Sequence, residues 1–172
     1  MEWSVRPARP EEWRKSRDLR LEALRDPVAD FAFARSYAEE SLFGDDQWIK
    51  RAASRGSQQF VGVVNGPARA GEAEAEEFAA MAVVVPERPG YYCLNGVYVR
   101  PGLRGSGVAD ALLAAAAAWA WERADRLHLW VHERNPRAEA VYRRHGFART
   151  GRTMAFERDP AATEFELALP KP

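Results

Sequence analysis

The chain has 172 residues, 47% hydrophobic and 29% charged, with 25 basic and 25 acidic side chains. That is the balance of one globular domain with a sizeable core, and it leaves no net field to draw the whole chain onto nucleic acid or an anionic membrane. The single cysteine, Cys93, excludes an intrachain disulfide framework and a multi-thiolate metal site.

Charges in Met1-Glu2-Trp3-Ser4-Val5-Arg6 stand where a signal peptide needs an apolar run. The longest uncharged stretch, Ala111 to Trp121, is too short to span a bilayer. A cytoplasmic protein with no membrane partner is expected, folded as one domain over residues 1–172. Arg outnumbers Lys by 22 to 3, so an individual Arg carries little weight.

Trp3 to Arg6 reads as an opening strand. Pro10-Glu11-Glu12 then starts a helix, because Pro suits a first turn and acids favour the positive end. Trp13, Arg17, Leu21 and Leu24 share one face of it, and it ends near Asp26-Pro27. A connection carrying Phe31 and Phe33 leads to a second helical region through Trp48 and Ile49 to about Ser54.

Gln59 to Val64 and Phe78 to Val85 are β-rich runs suited to pairing. Asn65 to Glu77, rich in Gly, Ala and Glu, reads as a mobile loop, its acids Glu72, Glu74, Glu76 and Glu77 solvated. Pro86 to Gly90 reads as a turn and Tyr91 to Val99 as a third strand of this run. A helix follows from about Gly105 to Ala124, with Val108, Leu112, Ala115 and Trp119 on one face and five alanines at 114–118. Leu127 to Val131 is a short buried strand. Asn135-Pro136 caps and begins a helix that stops at His145-Gly146, and Phe147 to Glu157 and Thr163 to Leu169 close the chain as strands. The plan is an α+β, or mixed α/β, domain around one twisted sheet.

The strand–turn–helix from Val99 to Asp110 carries the clearest chemistry. The first turn of a helix has N–H groups without intrahelical partners, and the macrodipole makes that end positive. Small residues at 105, 106, 107 and 109 let a pyrophosphate approach those donors, and Arg104 can add a charged contact. The segment lacks the Gly-Lys-Ser/Thr of a P-loop and the third Gly and strand-end acid of a dinucleotide fingerprint.

Arg104-Gly105-Ser106-Gly107-Val108-Ala109 resembles the Arg/Gln-x-x-Gly-x-Gly/Ala motif of the GNAT superfamily of acyl-CoA N-acyltransferases. Val97-Tyr98-Val99-Arg100-Pro101 looks like that family's fourth strand and its exit. Leu129-x-Val131, then Asn135-x-x-Ala138-x-x-x-Tyr142-x-x-x-Gly146-Phe147, looks like its fifth strand, next helix and following strand. The resemblance covers almost the whole chain. It implies a mostly antiparallel sheet splayed between strands 4 and 5, with helices on both faces.

It further implies an acetyl-CoA-dependent N-acetyltransferase, without a metal, in which a primary amine of a small molecule or peptide attacks the thioester directly. Backbone of Val97, Tyr98 and Val99 would face the pantetheine arm. Arg104, Gly105, Ser106, Gly107, Val108, Ala109 and Asp110 would hold the diphosphate. Asn135 would contact the cofactor, Ala138 would leave it room, and Tyr142 would protonate the leaving thiolate.

Neither strand carries an acid, so the amine's proton goes to Glu87, Glu133, His132 or a water chain. A homodimer stays open. The alternative is a CoA-binding sensor or scaffold without catalysis. His128 and His132 read as hydrogen-bonded strand and loop residues, and Cys93 as a small buried hydrophobe.

Overall fold

A computed structural model describes residues 2–66 and 75–172. Seven strands form one sheet: β1 (Trp3–Pro7), β2 (Gln58–Asn65), β3 (Glu76–Arg88), β4 (Tyr91–Val99), β5 (Arg126–His132), β6 (Ala148–Phe156) and β7 (Asp159–Pro170). Their order is β1-β2-β3-β4-β5-β7-β6, antiparallel at every junction except β4 with β5. The helices are α1 (Trp13–Ala23), α2 (Ala29–Ala32), α3 (Tyr37–Glu40), α4 (Asp45–Ala52), α5 (Val108–Trp121) and α6 (Pro136–Arg144).

Period-two alternation divides the strand side chains between two cores. Phe60 and Val64 of β2, with Leu127, Leu129 and Val131 of β5, pack under α5. Val61 and Val63 of β2, with Met81 and Tyr98, pack under Leu19 and Ala23 of α1. Burying these apolar faces on both sides is the main driving force of the fold. The expected arrangement of a splayed sheet with helices on both faces is the one observed.

The alanines of α5 serve its close approach to the sheet. Its buried stripe is Val108, Leu112, Leu113, Ala116, Ala117 and Ala120, which corrects the expected stripe through Ala115 and Trp119, both only half-buried. Opposite it, a Cβ at Gly62 would come within 2.8 Å of Val108 and 2.9 Å of Ala80. Only glycine permits that contact.

Two further expectations change. β3 continues through Pro86 to Arg88, and the ladder shifts register between those residues, where a residue without an N–H is tolerated. Glu76 and Glu77 belong to β3 and pair with Arg6 at 2.6 Å and Arg100 at 3.4 Å, so they are not part of a solvated loop. Glu72 and Glu74 lie outside the described residues, as does most of the expected loop. No helix among the described residues is long and apolar enough to cross a membrane.

Candidate active site

β4 and β5 lie side by side only at Tyr92–Leu127 and Cys93–His128. Beyond those pairs they separate. The cause lies in β4, where Gly96, at φ +60°, and Val97 together oppose the single residue Ala82. This β-bulge bends the strand and ends its pairing with β5. A cleft of about 690 Å³ fills the gap, bounded by β4, β5, α6, the turn before α5 and the segment around α2.

Backbone donors line one end of it. Gly107 caps α5 at φ +92° and Gly105 stands at φ +81°, conformations that favour glycine. A Cβ at Gly105 would meet nothing within 4 Å, so the space in front of this turn is open. Among the described residues, none accepts a hydrogen bond from the N–H of Gly105, Gly107, Ala109 or Asp110. Four unpaired donors at a positive helix end suit an anion. The Ser106 hydroxyl accepts the Val108 N–H at 3.4 Å. Val108 itself is buried under the sheet, and neither residue lines the cleft.

The Arg104 guanidinium does not point freely into solvent. It bonds Asp26 at 2.7 Å and the Val99 carbonyl at 3.1 Å. Burial opposes ionisation of Asp26, but the Val28 N–H and Arg104 outweigh it and hold its carboxyl below the ordinary value. The Asp110 carboxylate turns aside to His145 Nε2 at 2.8 Å, leaving its N–H toward the cleft.

Arg100 N–H donates to Ala79 on β3 at 2.9 Å. Alternation therefore turns the polar groups of Val99 toward the cleft and those of Tyr98 toward β3. Val97 and Val99 line the open edge, while the Tyr98 hydroxyl reaches Glu22 at 3.2 Å on the other face.

On the far wall, Asn135 caps α6 by accepting the Ala138 N–H at 3.2 Å. Its amide nitrogen is left for another partner. Ala138 and Tyr142, on one face of α6, line the cleft. The Tyr142 ring meets Phe147 edge-on at 5.9 Å, and its hydroxyl bonds no described residue. Burial pushes the Tyr142 pKa up to about 12, so the group is a proton donor at neutral pH.

Composition concealed two cationic side chains. Arg137 and Arg144 also line the cleft and, among the described residues, pair with no carboxylate. They stand seven residues apart on α6, close to one face. No signal separates them from the chain's other arginines except that shared face.

The residues weighed as proton acceptors fare differently. Glu87 is exposed near the end of β3. Glu133 accepts the Thr163 N–H at 2.9 Å. His132 lines the cleft between Phe31 and Phe156, and its Nδ1 accepts the Arg134 N–H at 3.0 Å. The neutral ring then carries its proton on Nε2, so it offers a donor and not a base. Burial lowers its pKa and favours that neutral form.

His128 departs from expectation: its Nδ1 is buried with no partner among the described residues, and the ring stacks on Tyr91 at 4.1 Å. Cys93 is fully buried, and burial raises its thiol pKa far above the ordinary value, as befits a packing residue.

Comparison with known proteins places this geometry. A family model described as "Acetyltransferase (GNAT) family" matches residues 22–147. Two bacterial proteins named mycothiol acetyltransferase are similar to part of the chain. The one from Segniliparus rotundus is 39% identical over 68 residues, 40% of this chain and 24% of the relative. The one from Salinispora arenicola is 40% identical over 79 residues, 43% of this chain and 26% of the relative. The chain thus matches about a quarter of those relatives' length.

Among solved structures, a GNAT-family acetyltransferase from Streptococcus pneumoniae superposes with a TM-score of 0.76 at 18% identity, covering 99% of this chain and all of that one. A putative acetyltransferase from Salmonella typhimurium, solved with acetyl-CoA, gives 0.71 at 15% identity, covering 99% and 94%.

Proposed function

Because the chain belongs to the GNAT family of acetyltransferases, we propose that it transfers an acetyl group from acetyl-CoA to a primary amine of a small molecule or peptide, by direct attack within a ternary complex. The observation that carries this reading is the pairing of two unsatisfied features in one cleft. At one side stand the N–H groups of Gly105, Gly107, Ala109 and Asp110, and at the other the hydroxyl of Tyr142, none of them bonded to any described residue.

The residues fit the cofactor's chemistry. The turn before α5 offers its N–H groups to a diphosphate. Arg137 and Arg144 supply charge for a third phosphate, and the guanidinium of Arg104 keeps donors beyond those given to Asp26 and Val99. Val97 and the N–H of Val99 present a strand edge to the amide-bearing arm, in the manner of an added strand, while the Val99 carbonyl is held by Arg104 at 3.1 Å. The Asn135 amide nitrogen and the small Ala138 flank the same path. Bound acetyl-CoA supplies an activated acyl group on a thiol leaving group.

Tyr142 then gives its proton to the departing sulfur as the carbon–nitrogen bond forms and the carbon–sulfur bond breaks. A thiol of ordinary pKa about 8.5 leaves without help at a fair rate, so this assistance accelerates the step and is not indispensable. Val28, Phe31, Ala32 and Phe33 wall the remaining side with apolar surface, and the acceptor enters against them. The reaction takes place in the cytoplasm and needs no metal.

Calorimetry with acetyl-CoA tests the first half, against NAD and ATP as controls. Thiol release with a panel of small amines, amino acids, aminoglycosides and peptides with free N-termini tests the second. Binding of acetyl-CoA alone, with amine-dependent thiol release, is expected. Absence of heat with acetyl-CoA overturns the reading.

A further inference from the structure

The proposed reaction leaves the amine's proton without a destination. An alkyl ammonium has a pKa of about 10.4, so at neutral pH it must lose a proton before it can attack. The two carboxylates that line the cleft are already engaged, Asp26 by Arg104 and Asp110 by His145. Glu166, buried on β7, accepts from Tyr91 at 2.5 Å, Thr150 at 2.7 Å and Arg152 at 3.3 Å. Glu133 holds the Thr163 N–H.

Glu164 differs from all of these. Among the described residues it is the one carboxylate that is partly buried yet accepts no hydrogen bond and pairs with no cation. It stands on β7 directly opposite His132, the last residue of β5 and a wall of the cleft. Side chains opposite one another in an antiparallel ladder share a face, with Cβ atoms about 4.5–5.5 Å apart.

Which face this is follows from the core. Leu127, Leu129 and Val131 turn toward α5. Trp130 and His132 therefore turn the other way, toward Phe31 of α2, and Glu164 turns with them. Burial raises the Glu164 pKa, and nearby Glu157 adds to that effect. A carboxylate held without a cation in partly dry surroundings is primed for one to arrive.

We propose that Glu164, set across the ladder from the cleft-wall residue His132, takes the proton of the acceptor's ammonium group. The inference rests on the acetyltransferase reading. One proton passes from the ammonium to the Glu164 carboxylate through bridging water, since His132 and not Glu164 bounds the cleft there. The freed nitrogen lone pair forms the bond to the acyl carbon, the carbon–sulfur bond breaks, and the thiolate takes the Tyr142 proton. Glu164 afterwards releases its proton to solvent and Tyr142 regains one.

The test uses the full chain with ethylamine and its 2-fluoro, 2,2-difluoro and 2,2,2-trifluoro analogues, a series of falling basicity and nearly constant shape. Glu164→Gln is expected to lower kcat/KM for ethylamine by about 10²-fold, a loss typical of a removed acid–base group. The loss shrinks along the series, because the later amines arrive already unprotonated. Acetyl-CoA affinity and melting temperature stay at wild-type values, and Glu164→Asp recovers part of the activity.

An equal loss across the series overturns the proton role, and no loss overturns the assignment entirely. Loss of acetyl-CoA affinity or of folding in both variants identifies a structural residue instead. A wild-type protein that binds acetyl-CoA but acetylates none of the four amines refutes the assignment while leaving the cofactor half of the parent reading in place.

Discussion

The guanidinium of Arg104 meets the carboxylate of Asp26 at 2.7 Å while its Nε meets the Val99 carbonyl at 3.1 Å. One side chain thereby ties the turn before α5 to the loop after α1 and to the end of β4. Asp26 is only 7% exposed and also accepts the Val28 N–H at 3.1 Å. Asp26→Ala is expected to cost about 1–3 kcal/mol, toward the lower end because Arg104 can rehydrate. A urea-unfolding midpoint measures it.

Gly105→Ala and Gly107→Ala should separate backbone strain from lost binding. Each forces a side chain into a left-handed conformation, at a cost of about 1–2 kcal/mol. The methyl at 107 lies 3.6 Å from Trp3, whereas the one at 105 projects into open space before the free N–H groups. Gly105→Ala is therefore expected to weaken acetyl-CoA binding about tenfold, or 1.4 kcal/mol, beyond its effect on stability. Calorimetry beside thermal melts compares the two.

Tyr142→Phe removes a hydroxyl that bonds no described residue, so stability and acetyl-CoA affinity should hold. Turnover should fall, by about 10²-fold at the lower end for a general acid. With the Tyr142 pKa pushed up to about 12, the group stays protonated throughout an assay between pH 6 and about 10. An alkaline decline within that range must belong to another group. Saturated kinetics of the variant decide the role: unchanged turnover removes it.

Arg137→Gln and Arg144→Gln should each lower affinity for CoA by about 1 kcal/mol, roughly fivefold, while leaving affinity for 3′-dephospho-CoA nearly unchanged. Titration calorimetry with both ligands measures the difference. Equal losses for the two ligands would place these arginines on the diphosphate instead.

Glu12 gives a stability effect that depends on pH. Its carboxyl accepts from Arg6 at 2.7 Å and 2.9 Å, and this contact, outweighing burial, lowers its pKa to about 2. A depressed folded-state value stabilises the fold above the unfolded value of about 4.3, and that contribution is lost as pH falls toward 2. Glu12→Gln should therefore cost about 1–3 kcal/mol at pH 7 and progressively less between pH 4.5 and 2. Denaturation of both proteins across that range measures the convergence.

The strand–turn–helix at Val99 to Asp110 and the helix from Asn135 to Gly146 were legible in the sequence because Gly, Pro and Asn punctuate them and their apolar spacing is local. Gly146 stands at φ +93°, as its place after α6 requires. Helices of four residues, such as α2 and α3, leave no periodicity to read. Glu164 was not legible for a different reason. Its neighbourhood arises from pairing across 32 positions of chain, to His132, and no local pattern specifies that register. Arg137 and Arg144 were hidden by abundance: only the fold separates a guanidinium facing a cleft from the many that face carboxylates or water.

The two rungs that join β4 to β5 have a mechanical consequence. The sheet behaves as two leaves stitched at one end, and α5, which touches strands from β1 to β5, is the beam beneath the seam. A molecule lying in the seam supplies the missing rungs, so loading should quieten both leaves together. Slower amide exchange in β4 and β5 at once would be its signature.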